Sequence, residues 1–498
     1  MSRVTERRGS GVLLHPTSFP GGPVGTLGDE AYRFVDWLRA AGQSRWQVLP
    51  LVPVDEGGSP YSGLSAMAGN TMLLDAALLV RDGVLEPRDA AASDEERVDF
   101  AAALKAADRL VHRAHHSLHH GAAASLRHEF DGYRERQRRW LADFALFRAL
   151  RDAYGSPWTK WKAGLRSRRP DALRRARARF ATEIERHAFG QFLFDRQWHA
   201  LREYARRAGV RIIGDIPIFV AHDSADVWAH PKLFALDDRG APTVVSGVPP
   251  DYFSATGQRW GNPLYRWAAI RRDRYRWWIE RFRRTLEMVD VARIDHFRGF
   301  ESYWEIPATE ETALHGQWVA GPGAALFTAA ERELGPLPLI AEDLGIITPE
   351  VDALRHELDM PGMRVLQFAF GGDARNPHLP ANYTRDTVAY TGTHDNNTSA
   401  GWYAEASDGE RAALRELTSA RDAHWGMMEL VFRSPAALAV APLQDVLGLG
   451  SGDRMNTPGT GKGNWGWRLR PGELTPELAA RLLELTRSTE RLHGEHES

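Results

Sequence analysis

The sequence predicts an α/β protein, a (β/α)8 TIM barrel interrupted by large, mainly helical insertions. Three observations carry this. Eight short apolar runs are spread along the 498 residues, each ending in polar, Gly or Pro residues, as doubly buried parallel strands do. Helical stretches such as residues 201–208 and 266–286 separate the runs, which is the alternation of a parallel α/β sheet. Three of the runs finish in carboxylates, and barrels build their sites at the carboxyl ends of their strands.

In chain order the runs are residues 11–15 (GVLLH), 46–51 (WQVLPL), 210–218 (VRIIGDIPI), 288–294 (MVDVARI), 339–344 (LIAEDL), 363–370 (MRVLQFAF), 387–391 (TVAYT) and 437–442 (ALAVAP). A doubly wound open sheet is the competing architecture, but no G-x-G-x-x-G follows the first run. Residues from about 70 to 200 break the rhythm. They are rich in Ala, Arg, Glu and His and predict a helical subdomain inserted into a single catalytic barrel spanning residues 1–498. Within it, His112, His115, His116, His119 and His120 occupy adjacent helical positions. An i, i+4 pair of imidazoles can hold a metal, but no carboxylate accompanies them locally, so a solvated helix face and no metal are expected. The basic run 166–179 (RSRRPDALRRARAR) is expected to be a solvated face too, because Arg is abundant throughout the chain.

Composition narrows the function classes. Hydrophobic residues at 43% and charged residues at 26% describe a chain able to bury a sizeable core. A formal charge of −2 gives no electrostatic reason to expect a nucleic-acid or anionic-membrane partner. No cysteine is present, which removes thiol catalysis and Cys-ligated zinc and suits a reducing compartment. The N-terminal apolar segment is only Val12-Leu13-Leu14, and no stretch approaches the ~18 to 20 apolar residues of a membrane span. A cytoplasmic enzyme is expected. The 17 Trp and 12 Tyr include several beside Gly, Pro or Asn in apparent loops. Such aromatics fill gaps or stack on flat ligands, including sugar rings and bases. Residues 459–463 (GTGKG) lack the spacing and the Ser/Thr of a phosphate loop.

The carboxylates carry the chemistry. Asp295 closes VARID, Glu342 follows Leu339-Ile340-Ala341, and Asp395 lies just beyond TVAYT. Two have His neighbours and one follows Arg293 by two residues, which is unlike three independent helix caps. Retaining glycoside chemistry needs one carboxylate to attack the anomeric carbon and another to protonate the leaving oxygen, about 5 to 5.5 Å apart. Arg293 supplies a charge that keeps Asp295 ionised. An ionised Asp295 in turn favours a protonated Glu342.

These motifs resemble glycoside hydrolase family 77, the 4-α-glucanotransferases (amylomaltases, or disproportionating enzymes), over nearly the whole chain. The resemblance rests on residues 11–18 (GVLLHPTS), 46–51, 59–61 (SPY), 214–218 (GDIPI), 223–228 (DSADVW), 248–253 (VPPDYF), 257–263 (GQRWGNP) and 454–460 (RMNTPGT), besides the three carboxylates. It implies transfer of an α-1,4-glucan segment from a malto-oligosaccharide to the 4-OH of another glucan or of glucose, with no cofactor. Asp295 matches the nucleophile, Glu342 the acid/base and Asp395 the third carboxylate at subsite −1. Arg293 and His394 line that subsite, Tyr61 stacks on its sugar and Asp215 orients Arg293. His296 matches an acceptor-side contact. Residues of about 246–265 match a loop insertion arching over the cleft, with Asp251, Gln258 and Trp260 toward the glucan. Starch- or glycogen-derived glucans are the implied partners, with a monomer or homodimer as the assembly. One departure stands out. Residues 55–58 read DEGG where the family often has Gly-Tyr-Gly-Asp. Glu56 thus replaces an aromatic of a secondary glucan groove, which weakens the expectation of that groove and of large cyclic products.

Two rival functions use the same residues. A hydrolase would employ the same carboxylates with water as acceptor. A metal-dependent phosphohydrolase could use His394-Asp395, Asp295-His296 and Asp343 as ligands, although such pairs usually sit on helices and these follow apolar strands. A non-catalytic glucan-binding protein would have had no need to keep all three carboxylates.

Overall fold

The computed structural model describes residues 4–87, 95–120, 124–250 and 254–492. Among the described residues twelve strands fall into two sheets. They are β1 (Gly9–Leu13), β2 (Arg45–Gln47), β3 (Arg211–Pro217), β4 (Val244–Val248), β5 (Gln258–Pro263), β6 (Val291–Asp295), β7 (Ser302–Pro307), β8 (Gln317–Ala320), β9 (Leu339–Ala341), β10 (Gly362–Val365), β11 (Thr387–Tyr390) and β12 (Leu438–Pro442). Eight of them, in the order β10-β11-β12-β1-β2-β3-β6-β9, form one parallel sheet. Each coincides with one of the eight apolar runs, and the helices between them complete the (β/α)8 barrel.

Side-chain alternation divides the core in two, because successive strand residues point to opposite faces. Leu13, Ile213, Val291, Ile340, Met363, Val365, Val388, Tyr390, Leu438 and Val440 pack together in the barrel lumen. Their neighbours Val12, Ile212, Ala292, Ile294, Ala341, Ala389 and Ala439 join the larger cluster between strands and helices. Small outward residues on several strands let the helices approach closely. The lumen residues fill the barrel as a core rather than leaving a pore.

Between β9 and β10 one backbone bond is supplemented by side-chain chemistry. Ala341 donates to the Pro361 carbonyl at 2.9 Å, and the Met363 amide donates to Asp343 Oδ1 at 2.6 Å. Arg364 donates to the other oxygen of Asp343 at 3.1 Å. Gly362 makes this possible, since a Cβ there would lie 2.4 Å from Asp343 Oδ2. The charge of Asp343 thus stitches the eighth seam of the barrel.

Between β2 and β3 come the helices Ala76–Arg81, Phe100–His120, Ala124–Arg136, Arg138–Tyr154, Ala163–Arg166, Pro170–Arg179 and Ala181–Arg207. The last of them runs on to pack against β3 and so serves the barrel as well. The basic run forms the Pro170–Arg179 helix, with Ala172, Leu173 and Ala176 buried and Arg175 paired to Asp171 on its exposed side. Of the imidazoles expected on a solvated face, His112, His116 and His119 are exposed, and His115 departs from that expectation. His115 is buried at 5% exposure and bonded to Glu185 of a neighbouring helix. The carboxylate missing locally in sequence arrives from 70 residues away.

Strands frame the segment around 246–265. β4 and β5 form an antiparallel hairpin, β4 also pairs with β7, and β7 pairs with β8. The result is a four-stranded sheet beside the barrel mouth. The expected contact Asp251 lies outside the described residues. No helix among the described residues is long and apolar enough to cross a membrane.

Candidate active site

The site grows from the lumen upward. Val291 faces the lumen, so Arg293 and Asp295, two and four residues on, face the same axis. Asp215 on β3 stands opposite Arg293 in the ladder, and Arg293 stands opposite Ile340 on β9. This register sets the guanidinium directly beneath the barrel rim. Arg293 is 4% exposed. It donates to Asp215 Oδ2 at 2.6 Å and to Asp295 Oδ1 at 2.8 Å, and its Nε lies 3.3 Å from Met363 Sδ. One buried cation therefore holds two carboxylates, the lower wholly buried and the upper partly open to the cleft. Each carboxylate also holds the proton on Arg293 more tightly.

Tyr61, in a loop after β2, completes the lower tier. Its hydroxyl donates to Asp215 Oδ2 at 2.6 Å. Its ring stacks on His394 with centroids 4.8 Å apart and planes 16° from parallel. Trp465 leans on both rings at 5.8 and 5.9 Å. Burial raises the proton affinity of Asp215 and Tyr61, the latter also because Asp215 is beside it.

Glu342 occupies the position after β9. Its amide continues the ladder to the Ile294 carbonyl at 3.0 Å, and its carbonyl receives the Phe297 amide at 3.1 Å. Its carboxyl accepts from the His296 amide at 2.6 Å and from the Leu344 amide at 2.9 Å. His296 has a left-handed backbone, with φ +54°, an uncommon conformation for a non-glycine residue. Burial is the main reason the Glu342 carboxyl is pushed up to about 8. The Asp295 charge adds to the rise, while Arg293 and the two amides oppose it.

Asp395 is more open, at 48% side-chain exposure. Asn456 Nδ2 donates to its Oδ1 at 2.6 Å, and Arg454 donates to its carbonyl at 2.9 Å. His394 Nε2 lies 3.4 Å from the same Oδ1. On the opposite side, Trp260 meets the His296 ring edge-on at 4.8 Å and donates to Gln258 Oε1 at 3.2 Å. Trp260 remains 40% exposed. His296 Nε2 is buried with no hydrogen-bond partner among the described residues, and burial pulls its proton affinity down to about 4.

The structure thus links Tyr61, Asp215, Arg293, Asp295, His394 and Asp395 by bonds and stacking, with Glu342 bonded to the His296 amide beside them and Gln258 and Trp260 next to His296. Sequence reasoning missed Asn456 and Trp465 as parts of it. Asn456 lay within a motif already noted, but nothing local tells which loop residues fold back to the rim.

An eight-stranded parallel barrel with carboxylates gathered round a buried guanidinium at its carboxyl rim is the architecture of a (β/α)8 enzyme. The family model described as 4-alpha-glucanotransferase, glycoside hydrolase 77, matches residues 14–475. The chain belongs to this family of 4-α-glucanotransferases. It is 50% identical over 497 residues to the 4-alpha-glucanotransferase of Thermus thermophilus, covering 97% of this chain and 99% of that one. Identity to the Synechocystis 4-alpha-glucanotransferase is 46% over 492 residues, covering 97% of each. Among solved structures, the amylomaltase of Streptococcus agalactiae in complex with acarbose superposes with a TM-score of 0.93 at 36% identity. That comparison covers 98% of this chain and 100% of the other.

Proposed function

We propose that the enzyme moves α-1,4-glucan segments between malto-oligosaccharides by double displacement, through a glycosyl ester on Asp295. The observation that carries this reading is the pairing of two unlike carboxyls at adjacent strand ends. Asp295 is held by the Arg293 guanidinium, whereas Glu342 is buried and keeps its proton up to about 8. The acid of such a pair must be protonated at working pH, and the burial of Glu342 suits it to that role.

In the first step the Glu342 proton goes to the glycosidic oxygen while Asp295 attacks the anomeric carbon and that C–O bond breaks. Forming the ester removes the negative charge of Asp295. One cause of Glu342's high proton affinity disappears with it, so Glu342 is now suited to take the proton from the acceptor's 4-OH. Attack of that oxygen returns Asp295 to its carboxylate. Asp395, fixed by Asn456, grips hydroxyls of the sugar being transferred, and Tyr61 with His394 walls the ring. Gln258, Trp260 and His296 form the acceptor side; Asp251 belongs with them by resemblance. The substrates are α-1,4-glucans derived from starch or glycogen, with glucose as the smallest acceptor and no cofactor. We place the enzyme in the cytoplasm, as a cysteine-free chain suits a reducing compartment.

Incubation with maltotriose tests the reaction. Transfer yields longer oligosaccharides plus glucose at a constant number of reducing ends. An increase in reducing ends matching the glucose released would make the protein a hydrolase instead.

A further inference from the structure

Outside the barrel mouth, one other cluster of side chains among the described residues has ligand chemistry. His115 and His119 lie one turn apart on the Phe100–His120 helix, and Glu185 faces them from the Ala181–Arg207 helix. Their ligating atoms converge. His115 Nε2 lies 3.1 Å from Glu185 Oε2, His119 Nε2 lies 2.9 Å from the same oxygen, and the two nitrogens are 3.3 Å apart. A tetrahedral ion with bonds of about 2.0 to 2.1 Å separates its ligand atoms by ~3.3 to 3.4 Å. The observed triangle needs an opening of only a few tenths of an ångström. A shared hydrogen-bond acceptor does not by itself require the two imidazole nitrogens to point at one another.

We propose that His115, His119 and Glu185 form a binding site for a divalent transition ion, such as zinc, with solvent as the fourth ligand. Two imidazole donors select this class over magnesium or calcium, which take all-oxygen shells. The exposed side of His119 leaves the fourth position open to water. His115 is packed against Phe189, which fixes its ring and lowers the ordering cost of binding.

Arg127 makes the site conditional. It donates to Glu185 Oε1 at 2.7 Å and lies 3.2 Å from His119 Nδ1. A nitrogen accepting from Arg127 leaves the proton on Nε2, the atom that would bind the ion. Metal binding therefore moves that proton to Nδ1 and displaces the guanidinium. Arg127 is a built-in competitor, and the bound ion would clamp the inserted helices to the helix that leads into β3.

The test uses the untagged, chelator-treated full chain titrated with zinc against a chromophoric indicator near pH 7.5, with circular dichroism to verify folding. His119→Ala, at a partly exposed position, should weaken zinc binding at least about tenfold, and Glu185→Gln should weaken it comparably. Arg127→Ala should strengthen it several-fold, since the competing cation is gone. Zinc should raise the thermal midpoint of the wild type and not of His119→Ala. Cobalt in the same site should give the intense visible bands of a four-coordinate ion. Equal affinities in wild type and His119→Ala would overturn the site. Weaker binding in Arg127→Ala would overturn the competitor role.

Discussion

Replacing Glu342 by Gln should destroy transfer while making the fold more stable, relative to wild type, as pH rises. The Glu342 carboxyl is raised from its ordinary 4.5 to about 8, chiefly by burial. Below the lower value both folded and unfolded chains hold the proton, so ionisation costs nothing. Between the two values the unfolded chain releases its proton and the folded one keeps it, and stability falls with rising pH. Above about 8 the folded state carries the full cost of the buried charge. At 1.36 kcal/mol per unit this cost is ~5 kcal/mol at high pH and ~3 kcal/mol near pH 7. The amide of the Glu342→Gln variant escapes it but meets the His296 and Leu344 amides with only one acceptor oxygen. One of those donors is left poorly paired, a pH-independent penalty of about 1 to 3 kcal/mol. Denaturant unfolding of both proteins from about pH 5 to 9 separates the terms. The stability of the variant relative to wild type should climb by ~1.4 kcal/mol per pH unit through that window, then level off. Parallel curves for the two proteins would refute a buried, proton-holding Glu342.

Other perturbations probe other parts of the account. Gly362→Ala should destabilise the barrel by about 1 to 3 kcal/mol, seen as a lower denaturation midpoint, because the added methyl meets the Asp343 carboxylate that closes β9 onto β10. Asn456→Ala should lower kcat by about tenfold or more by releasing Asp395 from its fixed orientation, with thermal stability nearly unchanged; wild-type kinetics would detach Asn456 from the site. Trp260→Ala should weaken acceptor stacking by about 1 kcal/mol and raise the ratio of free glucose to elongated product. An equal fall in both activities would make Trp260 a packing residue.

The barrel was legible because its eight strands are buried on both faces and so appear as unbroken apolar runs. The carboxylates were legible because each lies at or just beyond the end of a strand formed by such a run. The four-stranded sheet was not: β5 and β8 are largely exposed and carry Gln258, Arg259, Trp260, Gln317 and Trp318, with no apolar alternation to mark them. Asn456 and Trp465 reach the rim through a long loop whose path depends on tertiary contacts. His115 departed from the expected solvated face for a similar reason, since its carboxylate partner comes from another helix. The seam at Asp343 shows a further limit, because one acidic residue beside Glu342 serves the backbone rather than the chemistry.

Trapping the intermediate tests the central claim most directly. An activated glycosyl fluoride needs no protonation of its leaving group, so in Glu342→Gln the first step should recover while the second stays slow. Mass spectrometry of the digested variant should then find a glycosyl group on the peptide bearing Asp295, absent when Asp295→Asn is added. A sugar attached to any other residue, or steady turnover of the fluoride with no adduct and inverted product, would contradict the double displacement through Asp295.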